Sequence, residues 1–128
     1  MAYTFEINPR TRRVDVRVKG RDTAADLTRR VQEITGDPLW SPGFDILVDT
    51  CEVNEFDFST SDIQDIARLH EDMNKLIGGG KLAIAAPRDL IYGVDRMWET
   101  LAEGRTALSI RVFRSLEEAE TWLTADRV

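Results

Sequence analysis

Leu82-Ala83-Ile84-Ala85-Ala86-Pro87-Arg88-Asp89-Leu90-Ile91-Tyr92-Gly93-Val94-Asp95-Arg96-Met97-Trp98 is the stretch that decides the fold. Leu82 to Ala86 is a short strand of small apolar residues bounded by Pro87, which cannot donate to a sheet ladder. From there Leu90, Ile91, Val94, Met97, Trp98 and Leu101 recur at helical spacing, until Gly104 ends the helix. A strand that passes into an amphipathic helix within a few residues is a βα unit. The same alternation of period two with period 3.6 extends in both directions.

Upstream, Phe44 to Val48 reads as a mostly apolar, central strand. Glu52 to Phe58 reads as an irregular connection. A long helix follows, capped by Ser59 or Ser61, with Ser61-Asp62-Ile63-Gln64 at capping-box spacing. Its apolar stripe is Ile63, Ile66, Ala67, Met73 and Ile77, and Gly78-Gly79-Gly80 stops it. Downstream, Leu108, Ile110 and Val112 alternate as a last strand. Ser115-Leu116-Glu117-Glu118 then opens a helix through Ala119, Trp122 and Leu123. At the start, Tyr3, Phe5 and Ile7 alternate, Asn8 to Thr11 turn, and Val14, Val16 and Val18 alternate again, which makes a β-hairpin. A helix capped by Asp22 or Thr23 carries Ala24, Leu27, Val31 and Ile34 and closes at Gly36-Asp37-Pro38. Trp40 folds back onto the core.

The order ββα βα βα βα predicts an α/β fold, one domain over 1–128. It is a mostly parallel five-stranded sheet with right-handed crossovers after an N-terminal hairpin. Because the second and last strands are strictly two-faced, helices on both faces would bury polar side chains without partners. The helices are therefore expected mainly on one face. The opposite face has a small apolar centre, Leu47 with Ala83 and Ala85, which reads as a surface for a homodimer.

Composition bounds the function. The 128 residues are 42% hydrophobic and 31% charged, with a net charge of −6, so phosphate backbones would repel the chain and nucleic acid is not an expected partner. One cysteine and one histidine allow no intramolecular disulfide and leave metal sites short of ligands, so neither a metal nor a cofactor is expected. The N-terminus lacks the pattern of a signal peptide, and no apolar run reaches the roughly 18 residues of a membrane span, so the expected address is the cytoplasm.

Candidate chemistry is sparse. Cys51 and His70 are the one nucleophile–base combination, and packing explains both better than catalysis. Asp45, Asp49, Glu52, Glu55 and Asp57 cluster around the third strand and read as a solvated acidic edge. The glycine triplet lies after a helix and before a strand, the reverse of a phosphate loop. No catalytic residue is assigned. Topology points elsewhere, to the rim beyond the carboxyl ends of the strands, where helix N-termini gather. That rim holds Asp57, Phe58, Pro87, Arg88, Asp89, Tyr92, Arg96 and Arg114, with the hydroxyls of Ser59, Thr60 and Ser61 at a helix start.

Two segments resemble the SpoIIAA-like family, relatives of the STAS domains. Ala85 to Glu99 is similar to the family's Ala-Pro-Arg-Asp strand end followed by a helix with Gly-x-x-Arg-Met-aromatic. Val112 to Leu123 is similar to its C-terminal Val-Phe-Arg-x-Leu-Glu-Glu-Ala-x-x-Trp-Leu. The resemblance runs from about Tyr3 to Leu123. It implies a regulatory module whose serine, at the start of the helix after the third strand, is phosphorylated by a partner kinase. The family's Asp-Ser-Ser-Gly corresponds here to Asp57-Phe58-Ser59-Thr60, which places Phe58 at the phosphoacceptor position. The same fold class resembles the lipid-binding CRAL-TRIO domain. Two readings follow for a non-enzymatic chain. The first is a protein-interaction module working through the rim near Ser59 and Arg88. The alternative is a binder of a small apolar ligand between helices and sheet, for which the aromatic and Met-rich helix Leu90 to Leu101 is the motivation.

Overall fold

The computed structural model describes residues 2–125; Met1 and residues 126–128 lie outside that range. Strand β1 (Tyr3–Asn8) turns into β2 (Arg13–Thr23), followed by α1 (Ala24–Thr35) and β3 (Asp45–Asp57). Then come α2 (Thr60–Asp72), the single turn α3 (Asn74–Ile77), β4 (Lys81–Ala85), α4 (Asp89–Ala102), β5 (Ser109–Phe113) and α5 (Leu116–Thr124). The sheet order is β1-β2-β3-β4-β5, antiparallel between β1 and β2 and parallel elsewhere. This is the mostly parallel five-stranded sheet that the alternation of periods predicts.

Sequential strand order fixes where the helices go. Each crossover from β2 to β5 steps in the same direction across the sheet, so right-handed connections put α1, α2 and α4 on one face. Under them lie Ile7, Val14, Val16, Val18, Leu82, Ile84 and Val112, all buried. Helix α5 has no following strand to return to, and handedness does not bind it. It folds back over the other face, where Ala119 and Leu123 bury Leu47, Ala83 and Ala85. The small apolar centre expected to meet a second copy is therefore covered by the chain's own last helix. Arg13 on β2 clamps that helix through a two-pronged contact with Glu120, one N–O distance being 2.7 Å. Trp122 packs on Phe113 on this side, not in the main core.

Strand β3 is longer than its sequence suggests. The segment Glu52 to Asp57, expected as irregular, pairs in parallel with β2 from Lys19 to Thr23. Its acidic residues explain why: the register sets Asp49 beside Arg17, Glu52 beside Lys19 and Glu55 beside Arg21. The corresponding ion pairs span 3.7–3.9 Å. The expected acidic edge is, at Asp49, Glu52, Glu55 and Asp57, a cross-strand charge ladder, while Asp45 is buried and accepts from the Lys81 amide at 2.9 Å; charge alternation in β2 hides the pairing from a search for apolar alternation.

Two glycines meet opposite surroundings. Gly80 does more than stop a helix: a Cβ there would sit 2.4 Å from the Phe44 carbonyl oxygen, so the strand could not approach the segment before β3. Gly93, inside α4, is exposed and an added Cβ would touch nothing within 4 Å. Chemical denaturation separates the two. Gly93→Ala should stabilise the chain by about 1 kcal/mol, the usual helix-interior penalty of glycine. Gly80→Ala should destabilise it by about 2 kcal/mol or more, because backbone has to move.

Candidate functional site

Each of the three helices on the main face carries one ionisable residue on its apolar stripe. Arg30 lies among Leu27, Val31 and Ile34 of α1; His70 follows Ile63, Ile66 and Ala67 of α2; Asp95 lies between Ile91 and Trp98 of α4. Burial of the stripes turns all three inward. The end of β2 adds a fourth, Asp22, which is 2% exposed. All four line a cavity of about 80 Å³ between the sheet and α1, α2 and α4. Apart from Thr35 and Thr50 its remaining wall is apolar and includes Val48, Ile84, Phe56 and Phe58.

The four groups differ in how they are satisfied. Arg30 grips Asp22 with two nitrogens, at 2.9 and 3.5 Å, and its guanidinium also lies over the Tyr3 ring at 5.9 Å. Both partners are buried, so the pair neutralises itself inside the protein. His70 places Nδ1 2.9 Å from the Ile66 carbonyl oxygen. A carbonyl only accepts, so Nδ1 carries the hydrogen and the neutral ring presents Nε2 as a bare acceptor. Burial pushes the His70 pKa below its ordinary value, against the Ile66 hydrogen bond and with help from the Arg30 charge. The Trp98 ring meets His70 edge to face at 5.0 Å. The half-buried Asp95 carboxyl makes no hydrogen bond or ion pair among the described residues. Burial, reinforced by the Asp22 charge and opposed by Arg30, pushes its pKa up to about 8. The site therefore holds one closed ion pair, a neutral imidazole and a carboxyl that keeps its proton to higher pH than usual.

The rim assembles as two groups, with no hydrogen bond or ion pair between them among the described residues. At the α2 end, Asp57 pairs with Arg21 at 2.5 Å. Ser59, not Ser61, is the N-cap: its hydroxyl accepts from the Asp62 amide at 3.0 Å and its own amide donates to the Asp62 carboxylate at 2.9 Å. A phosphate on Ser59 would break this capping box and confront Asp62. Thr60 and Ser61 are exposed in the first turn. Phe58 turns down, stacks on Phe56 at 4.2 Å and joins the cavity wall. At the α4 end, Arg114 pairs with Asp89 at 2.5 Å and lies 4.0 Å over the Tyr92 ring, with the Pro87 carbonyl oxygen at 3.5 Å. Arg88 precedes α4 without a side-chain capping bond, and Arg96 pairs with Glu99 of its own helix at 3.6 Å.

Cys51 and His70 are not brought together. Cys51 is exposed, and burial of its sulfur together with Asp49 pushes the thiol up to about 11, while His70 is engaged with Ile66. Among the described residues no group of three or more His, Cys, Asp or Glu side chains is arranged to hold a metal ion, and no helix is long and apolar enough to cross a membrane.

The protonation of Asp95 has a measurable consequence. Between about pH 4 and pH 8 the unfolded chain has this carboxyl ionised while the folded chain keeps its proton, so folding takes up a proton. Stability from this group is thus full below about pH 4 and is lost as pH rises towards 8, by at most about 1.4 kcal/mol per pH unit. Subtracting the stability of Asp95→Asn from that of the wild type should leave a difference that falls steadily from pH 5 to pH 8. A flat difference would contradict this protonation state.

No family model matches the chain, and no curated protein matches it. Among solved structures it is similar to an uncharacterised protein of the DUF3478 family, with a SpoIIAA-like fold, from Shewanella loihica PV-4. The two superpose with a TM-score of 0.59 at 17% sequence identity, over 95% of this chain and 94% of that one. The resemblance read from the Ala85 to Glu99 and Val112 to Leu123 segments is thereby met at the level of architecture: the chain has a SpoIIAA-like fold.

Proposed function

We propose that this chain is a non-catalytic binder of a small, largely apolar molecule held between the sheet and α1, α2 and α4. The observation that carries the reading is the cavity itself, a largely apolar space of about 80 Å³ between the sheet and three helices, lined also by Asp22, Arg30, His70 and Asp95. Protein interiors are close-packed, and a core with no ligand to receive would gain by filling such a space with apolar side chains. Phe58 supports the same reading. At the position where the resemblance implies a phosphoacceptor, this chain has an aromatic side chain that walls the cavity.

A second reading, a protein-interaction module working through the rim, is favoured by Leu90. This residue is 68% exposed beside Arg88 and the Arg114–Tyr92 stack, an unusual place for a large apolar side chain. Two variants part the readings in the native host. Val48→Phe fills the cavity from the β3 wall without altering the surface, whereas Leu90→Glu alters the surface alone. Ligand binding predicts loss of the cellular phenotype with Val48→Phe and its retention with Leu90→Glu; the reverse pattern overturns it. In vitro, Val48→Phe should raise the melting temperature in the absence of ligand and abolish any stabilisation by added small molecules.

A further inference from the structure

Helix α4 buries Ile91, Trp98 and Ala102 and turns its opposite face to solvent. On that outer face Leu90, Gly93 and Met97 follow one another at i, i+3 and i+7, so they form one line along the helix. Among the described helices only α4 carries two large apolar side chains that are exposed, Leu90 and Met97, the latter to 46%. Between them Gly93 leaves a notch. Glycine weakens a helix interior, and nothing within the chain exploits the missing side chain. Further along the same face the Thr100 hydroxyl donates to the Arg96 carbonyl oxygen at 3.1 Å, so it brings no unpaired polar group. Asp89 and Arg96 flank the line, both exposed. Each uses one atom in a pair within the chain, Asp89 Oδ1 with Arg114 and Arg96 Nη1 with Glu99. The second carboxylate oxygen and the other guanidinium nitrogens make no hydrogen bond among the described residues.

We infer that α4 is the contact of a symmetric homodimer, packing antiparallel on α4 of a second copy with the two-fold axis at Gly93. The inference does not depend on the cavity, and it gives the face that Leu90 marks a second copy as its occupant. In an antiparallel pair centred on Gly93, a residue a given number of places before it faces the residue equally far after it on the other chain. The two notches meet, which lets the helix backbones approach closely. At 3.6 residues per turn, Leu90 and Met97 lie to one side of Gly93 on the helix surface and Asp89 and Arg96 to the other. Leu90 therefore packs on Met97 of the second copy, and Asp89 meets Arg96 of the second copy. By symmetry each contact occurs twice. The face is thus complementary to itself in shape and in charge, a property that a surface built for an unrelated partner does not need. The net charge of −6 on each copy opposes association, and the two Asp89–Arg96 contacts offset it where the copies touch. One helix from each copy buries less than the roughly 1,200 Å² of a stable interface, so the dimer is weak and forms at about 10–100 µM.

Sedimentation velocity of the full chain from about 5 µM to about 1 mM tests the pairing, and the sedimentation coefficient should climb from that of a monomer towards that of a dimer. Gly93→Leu fills the notch and Met97→Glu charges the line, and each should weaken association about tenfold or more. Both positions are exposed, so the melting temperature of the dilute, monomeric variants should not fall. Asp89→Arg and Arg96→Asp should each weaken the dimer about threefold or more, while the double reversal should restore it to within about twofold of the wild type. The swap repairs neither the Arg114 pair nor the Glu99 pair, so a role confined to one chain would not produce this rescue. A monomer throughout the range, a dimer indifferent to Gly93→Leu, or a double reversal no better than the single ones overturns the pairing. None of the substituted residues lines the cavity, so each of these results leaves the ligand reading where it stands.

Discussion

A buried ion pair between Asp22 and Arg30 sets the conditions for everything on the main face. Asp22 closes β2 and Arg30 lies two turns into α1, so the pair pins the helix to the strand end at a fixed height. Removing either partner would strand a charge in the interior, a change that typically costs about 3–5 kcal/mol. Asp22 and Arg30 line the space beneath α1 together with Val16 and Val48. The same two charges set the neighbouring protonation states. Asp22 helps keep Asp95 protonated, and Arg30 helps keep His70 neutral. One structural pair thus lines the cavity and removes net charge from its polar end.

Handedness divides the helices, and the end of the chain escapes it. Alternation in β2 tells correctly that one face is polar: Asp15, Arg17 and Lys19 point away from Val14, Val16 and Val18. It cannot tell what covers the apolar centre of that face. Leu47, Ala83 and Ala85 look the same whether a second molecule or a tethered helix is to cover them. The tethered helix wins because covering the patch within one chain needs no association between molecules. Ala119, with no side chain beyond Cβ, lets α5 approach the two alanines of β4 closely. Around that contact the polar residues find partners: Arg13 holds Glu120, and the Lys81 ammonium reaches the Trp122 carbonyl oxygen at 3.1 Å while lying over its ring.

The fold was legible because apolar periodicity and turn chemistry agree in almost every element. The site was legible only in part. The rim is where topology puts it, and its residues are present, but most of their polar groups are engaged locally. Asp57 is held by Arg21, Ser59 by Asp62, Asp89 by Arg114 and Arg96 by Glu99. Pairing of this kind depends on register and rotamer, which sequence spacing does not reveal. An apolar space between helices and sheet is what the alternative reading expects, but its polar lining is not legible, for a different reason. Arg30, His70 and Asp95 are each masked by the apolar stripe around them. A charge at a stripe position is the signal that was available: one such residue on each of three helices covering the same sheet face implies that the three meet.

Their meeting place also explains why rim and cavity belong to one architecture. Beyond Lys19 in β2 and Thr50 in β3, the two strands pair only with each other among the described residues, since β1 and β4 have already ended. This ribbon carries its charge ladder outward and Val53 and Phe56 inward, and Phe58 follows at its tip. It forms the cavity wall with the fewest neighbouring strands, so its backbone hydrogen bonds open at lower cost than those in the centre of the sheet. The capping box at Ser59 then anchors the tip to α2. Strand ends, helix start and aromatic pair together form one wall. In this chain the rim forms the outer edge of an interior space, and its polar residues bind each other there above an apolar core.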